Sequence, residues 1–349
     1  MVPVLEAVPN FSAGRDPTFL NRLVRAVADA GAEVLDASAD PDHNRSVVTF
    51  VGSPEAVEEA AVSTARLAVE SIDLRSHDGA HPRVGALDVL PFVPLQGLTM
   101  EDARTSARIV GERLAVEVGV PVYFYGEASE PAGRGLAELR RGGFPVLEDG
   151  FPEGREPDLV PPGWARAGAH PTAGVTCVGA RPLLLAWNVE VRGLSEERLR
   201  QVATAIRERD GGFEGLRALG LVLGEGARLQ VSMNLEDVRN RKPFAVFQEI
   251  ERRVQEAGGH VVGTEIIGMI PDGLVFDSAA DRLSLLDPDP SRVLSSRLAR
   301  HVERRIIDEV ERLSEVVAAS GERTPTEVRR VVERLERVLA GPHIRNGTL

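Results

Sequence analysis

With one cysteine, Cys177, in 349 residues, the chain cannot close an intramolecular disulfide, and it has no thiolate cluster for a structural zinc. Positive charge is in short supply too. Against 53 Asp and Glu stand 41 Lys and Arg, a formal charge of -12. That balance argues against nucleic acid as a partner, because neutralising phosphates takes a basic surface. It leaves room for an anionic small ligand, which needs only a local group of arginines and backbone N–H groups. No apolar run approaches the roughly 20 residues of a bilayer span, so no membrane partner is expected. The first residues, Met1-Val2-Pro3-Val4-Leu5-Glu6, lack the basic start and apolar stretch of a secretory leader. The expectation is a soluble cytoplasmic protein, long enough for two domains with cores of their own.

What is present is an alternation of short apolar strands and amphipathic helices. Residues 5–8, 33–36, 46–51, 89–94 and 120–125 read as strands. Asp16-Pro17 opens a helix with Leu20, Leu23, Val24, Val27 and Ala30 at helical spacing, and Gly31 ends it. Ser53-Pro54 and Thr99 open two more. Residues 126–174 are rich in Gly, Pro and Arg and weakly periodic, a loop long enough to be functional or mobile. From Arg181-Pro182 the pattern restarts. Strands are expected over 183–191, 219–223, 228–233 and 260–268, with helices over 195–208 and 243–257. Gly224-Glu225-Gly226 reads as a hairpin turn. Both halves share a β-α-β-β-α-β order, so the fold class is α+β: two related lobes with helices packed on sheet faces. Beyond residue 288, apolar stripes predict a C-terminal helical hairpin with no chemistry of its own.

The densest chemistry lies in His77-Asp78-Gly79-Ala80-His81-Pro82-Arg83-Val84-Gly85-Ala86-Leu87-Asp88. His77 and His81 have the i, i+4 spacing of a helical zinc site, but Gly79 and Pro82 disfavour a helix there. A metal site adding His43, Asp42 or Asp88 stays open on ligand types alone. So does a loop that uses at least one imidazole as a base. Asp42-His43-Asn44-Arg45 reads either as a second wall of the same site or as a polar turn with Asn44 left-handed. Asn10 and Ser12 carry the same ambiguity. Residues 168–179, rich in glycine, read either as backbone N–H donors for an anion or as a connector. Cys177, in an apolar strand-like run, reads as a buried inert thiol.

Taken in order, several segments resemble the formiminotransferase family, the glutamate formimidoyltransferases that use tetrahydrofolate. They are Glu6-Ala7-Val8-Pro9-Asn10-Phe11-Ser12, Asn44-Arg45-Ser46-Val47, His81-Pro82-Arg83-Val84-Gly85-Ala86-Leu87-Asp88-Val89 and Val120-Pro121-Val122-Tyr123. In the second half they are Gly179-Ala180-Arg181 and Gln230-Val231-Ser232-Met233-Asn234-Leu235. The resemblance implies an N-terminal subdomain over 1–179, a C-terminal subdomain over 180–288 and a helical extension over 289–349. It implies a homodimer, and the extension is too short for the cyclodeaminase domain fused to some relatives. His81 is then the catalytic base. Ala165, Gly168, Ala169, His170, Pro171, Thr172, Ala173 and Gly174 correspond to the folate-binding segment. Asn10, Asn44, Arg45, Arg83 and Asp88 complete the expected substrate and folate contacts.

The implied reaction belongs to histidine breakdown and one-carbon metabolism. It moves a formimidoyl group between N-formimidoyl-L-glutamate and N5 of tetrahydrofolate, with folate and glutamate-type molecules as the only partners and no metal required. Glutamate's α-amine titrates near 8, so it must lose a proton before attack, and a neutral imidazole suits that task. Arg83 or Arg45 would grip a substrate carboxylate, and Asp88 would orient a partner or offset the amidinium charge. Formyl transfer from 5-formyltetrahydrofolate to glutamate, a folate-binding protein without turnover, and a metal-dependent amide hydrolase are the alternatives.

Overall fold

A computed structural model describes residues 3–79, 83–223, 228–236 and 243–269, with positions 294, 297–299, 301, 304, 306 and 307. It divides into two compact units, one of residues 1–269 and 281–287, the other of 270–280 and 288–349. In the second unit the described residues are helical. The expected helical hairpin otherwise lies outside the described residues, as does the 224–226 turn.

The first unit is mixed α and β, with two sheets. The larger has seven strands: β1 (Leu5–Ala7), β2 (Asn10–Phe11), β3 (Glu33–Asp40), β4 (Arg45–Gly52), β5 (Leu87–Pro94), β6 (Val122–Gly126) and β7 (Thr176–Ala180). Strands β1 and β2 act as one strand interrupted at Val8-Pro9, because each pairs antiparallel with both β4 and β5. Strand β3 flanks β4, and β7 joins β5 to β6 through parallel pairings. The first half thus carries seven strands where five segments were expected. Strand β2 is only two residues long after a proline, too short for any periodic signal.

Helices α1 (Pro17–Asp29), α2 (Pro54–Ser71) and α3 (Met100–Arg113) cover one face of this sheet. Each begins where the sequence caps it: Asp16 accepts from the Thr18 amide, Ser53 from Ala56, and Thr99 with Asp102 forms a reciprocal capping box. Side chains alternate across a strand. Leu5, Ala7, Val48, Phe50, Leu90 and Phe92 therefore join the helix-covered core, while Glu6, Val8, Arg45, Val47, Thr49, Val89 and Pro91 turn the other way and line a cavity.

The smaller sheet has the order β11-β8-β10-β9, all antiparallel: β8 (Leu184–Arg192), β9 (Leu216–Leu223), β10 (Arg228–Glu236) and β11 (His260–Ile267). Between these strands lie helices α5 (Glu196–Ile206) and α6 (Pro243–Glu256) in chain order, after the short α4 (Leu136–Leu139). Trp187 of β8 stacks on Phe247 of α6 at 6.0 Å, fixing the apolar face. The opposite face presents Leu184, Ala186, Asn188, Ser232, Asn234 and Glu236 to the same cavity. Both sheets thus turn a face of mixed polar and apolar residues toward the cavity, and an ion pair from Arg228 to Asp42 ties the smaller sheet to the β3–β4 turn.

Candidate active site

The cavity between the sheets measures about 290 Å³. Five arginines line it, Arg45, Arg134, Arg140, Arg181 and Arg217, against Glu6, Glu127 and Glu236. The local sign is the reverse of the chain's -12, which suits an anionic ligand.

At the Arg45 end the site is organised by Asp88, near the start of β5 and fully buried. Its Oδ1 accepts from the amides of Val84 at 2.8 Å and Gly85 at 3.2 Å. Its Oδ2 lies 2.8 Å from Arg140 and 3.4 Å from Arg83. Arg83 is 5 % exposed; burial pulls it down to about 10, with Asp88 opposing and Arg140 and Arg45 adding to the fall. Neither Arg83 nor Asp88 lines the cavity. Of the two expected carboxylate grips, Arg45 is the one that faces it. Arg45 Nε is buried without a hydrogen-bond partner among the described residues. Desolvation lowers its pKa, while Asp40, Asp88 and Glu265 pull the other way.

Asn44 is left-handed, with φ of 46°, and its side chain is fully engaged. Its Oδ1 accepts from Gly14 N at 2.9 Å, and Nδ2 donates to Asp78 O at 3.0 Å and lies 3.2 Å from His77 Nδ1. It anchors the loop that precedes Arg83 and offers no group to a ligand. An amide N–H facing His77 Nδ1 makes that nitrogen the acceptor and places the ring proton on Nε2. Burial holds both His77 and His43 below the usual imidazole range. His43 Nε2 lies 3.7 Å from Asp40. Among the described residues no three His, Cys, Asp or Glu groups assemble a metal site. His81 lies outside the described residues. Asn10 lines the cavity and donates to Val8 O at 3.0 Å.

The segment expected to bind folate packs behind the 83–86 stretch. Ala86 N donates to Ala173 O at 2.8 Å, Val175 N to Val84 O at 2.7 Å, and Leu74 N to Thr172 O at 2.8 Å. Gly174 permits this contact: its φ is 70°, and a Cβ there would fall 1.9 Å from Val84 O. The amides of Ala169, His170, Ala173 and Gly174 donate to Leu147 O, Gly174 O, His170 Nδ1 and His170 O. They are committed within the protein rather than presented to an anion. Ala165 and Pro171 are exposed, Thr172 is half-buried and Gly168 is buried; none of these residues lines the cavity. Beyond Gly174 the connector reading gives way to strand β7, in which Cys177 is fully buried and pushed well above the usual thiol range.

Sequence reasoning missed Arg134, Arg140, Arg181 and Glu6. The first two come from the aperiodic 126–174 stretch, which is pinned rather than loose. Tyr123 Oη donates to Arg155 O at 2.5 Å, and Arg155 donates to Leu139 O and Arg141 O at 2.6 and 2.8 Å. At the other end of the cavity the Tyr125 ring lies over Gly179, where a Cβ would come within 2.4 Å of it.

Two sheets facing an arginine-rich cleft define a mixed α+β protein. The chain belongs to the formiminotransferase domain family: residues 4–181 match its N-terminal subdomain and residues 186–283 match the formiminotransferase domain. It is 36% identical over 291 residues to the glutamate formimidoyltransferase of Streptococcus pyogenes serotype M1, covering 83% of this chain and 96% of that one. With the glutamate formimidoyltransferase of Thermoplasma acidophilum it shares 36% over 302 residues, 85% of this chain and 98% of the relative. The formimidoyltransferase-cyclodeaminase of Sus scrofa is 39% identical over 289 residues, 80% of this chain and 52% of that protein. The chain therefore spans about half the length of the fused relatives it matches.

Proposed function

We propose that this chain is a glutamate formimidoyltransferase, transferring the formimidoyl group between N-formimidoyl-L-glutamate and N5 of tetrahydrofolate in histidine degradation and one-carbon metabolism. The observation that carries the reading is Arg45, a half-buried, cavity-facing guanidinium whose Nε is buried without a hydrogen-bond partner among the described residues, in a chain of this family. A substrate carboxylate would complete it. His81 acts as the base: it takes the proton from glutamate's α-amine, the amine adds to the amidinium carbon, and the tetrahedral intermediate collapses as N5 regains a proton and leaves. Asp88 orients Arg83 and Arg140 and does not meet substrate. Asn10 contributes from the cavity wall. Asn44 and the Ala165–Gly174 segment support the loop from two sides. Tetrahydrofolate is a co-substrate, and the chemistry calls for no metal. The reading extends to a cytoplasmic homodimer with subdomains over 1–179 and 180–288 and a helical extension over 289–349.

The test is loss of N-formimidoyl-L-glutamate on mixing with tetrahydrofolate, with and without a chelator. Transfer is expected in both arms, and loss of transfer on chelation favours a metal-dependent hydrolase. His81→Ala should lower turnover by about 10²- to 10⁴-fold while 5-formyltetrahydrofolate still binds; near-normal turnover removes His81 from the mechanism. Supplying 5-formyltetrahydrofolate and glutamate in the same assay separates formyl from formimidoyl transfer.

A further inference from the structure

We propose that Glu6 is the acceptor that reads the donor edge of the pterin ring, a specificity-determining contact of the cleft; this rests on the folate reading above. Three carboxylates line the cavity. Glu127 is paired with Arg104 at 2.8 Å, and Glu236 with Arg217 at 2.9 Å. Glu6 is different. It is 2 % exposed, and no hydrogen bond or ion pair among the described residues reaches its carboxylate; Arg181 acts on it through charge alone.

Its backbone has no freedom to carry the side chain out to water. Glu6 sits opposite Val51 of β4 on one side and Val93 of β5 on the other, hydrogen-bonded into the middle of the sheet. A carboxylate buried without partners is costly, and folded proteins normally surround one with donors. Among the described residues no such donor is supplied to Glu6, and a donor entering the cavity would complete it.

The arginines of the cleft suit the carboxylates of a folate or a glutamate. They do nothing for the pterin's 2-amino-4-oxopyrimidine ring, which carries no negative charge. That ring presents a 2-amino N–H and the N3–H side by side on one edge. Two parallel donors match the two oxygens of a carboxylate, the geometry by which a guanidinium grips one. Burial pushes Glu6 up to about 7, with Arg181 opposing. Donors from the ligand favour the ionised form, so binding near neutral pH should release a proton. The other ionisable groups around the cavity are Tyr125, the paired Glu127 and Glu236, and the five arginines. Burial raises Tyr125 well above the usual phenol range, which leaves Glu6 to give up that proton.

Titration calorimetry on the full chain tests this, with 5-formyltetrahydrofolate and its 2-deamino analogue as probes for wild type and Glu6→Gln. Wild type should prefer the amino compound by about 10- to 100-fold, the range of a hydrogen-bond pair to a charged group. Glu6→Gln should reduce that preference to a few-fold. Proton release, read from two buffers of different ionisation enthalpy, should disappear in the variant. Equal affinity of wild type for the two compounds, or a preference that survives in Glu6→Gln, overturns the proposal. If wild type binds neither compound, the folate reading itself has failed, a separate result. Glu6→Gln preserves shape and removes a buried charge; should it nonetheless fail to fold, the wild-type comparison of the two ligands decides alone.

Discussion

Asp88 and Glu6 are both carboxylates with almost no exposure, 0 % and 2 %, on strands of one sheet, yet they live in opposite circumstances. Asp88 collects two amides and two guanidiniums. Glu6 collects nothing among the described residues but the distant charge of Arg181. The difference separates a carboxylate that holds the protein together from one that the protein holds in readiness. Burial alone would have ranked them together; the donor inventory tells them apart.

The largest test of this contrast is Asp88→Ala. Removing the shared partner strands Arg83 and weakens Arg140, and should cost on the order of 3–5 kcal/mol in urea unfolding; a loss below about 1 kcal/mol would make Asp88 no keystone. Glu6→Gln should move stability the other way. A folded pKa raised from 4.5 to about 7 means the folded state holds the proton more tightly than the unfolded one. The wild-type contribution is then complete below pH 4.5 and lost as pH rises through 7. The variant should gain roughly 3 kcal/mol relative to wild type above pH 7 and little at pH 4. Unfolding at both pH values checks it.

Arg140→Gln removes one of four donors to Asp88 and should cost about 1–2 kcal/mol. Arg45→Gln should change stability by less than about 0.5 kcal/mol, because its Nε has no hydrogen-bond partner among the described residues and Asp40, Asp88 and Glu265 act on it through charge alone. It should nevertheless raise KM for N-formimidoyl-L-glutamate about tenfold or more. A stability loss matching that of Arg140→Gln would show that Arg45 belongs to the Asp88 knot instead.

Much of the scaffold was legible because it obeys local rules. The caps at Asp16, Ser53 and Thr99 mark helix starts, and the β-branched run around Val47-Val48-Thr49 marks a strand. The segment from His77 to Asp88 drew attention by its density of ionisable groups, yet none of its described residues lines the cavity; of the expected contacts only Asn10 and Arg45 do. Nothing in the sequence distinguishes Arg83, which faces Asp88, from Arg45, which faces the cavity; only the pleat of β4 and the amides of Val84 and Gly85 held by Asp88 do so. Arg134 and Arg140 were hidden because their stretch is stabilised by scattered side chain–backbone bonds, which leave no period. Glu6 did carry a signal: a charged residue in the middle of an apolar strand start, where solvent was not expected.

The five-arginine cleft sits in a chain of formal charge -12. A polyanion approaching from solution therefore meets repulsion before attraction, since the cleft's field fades beyond a Debye length of roughly 8 Å at physiological salt. Added salt should weaken the grip inside while easing the approach outside. Arrival and residence then respond to ionic strength with opposite signs, and the molecule screens its ligands by how they come in as well as by how they stay.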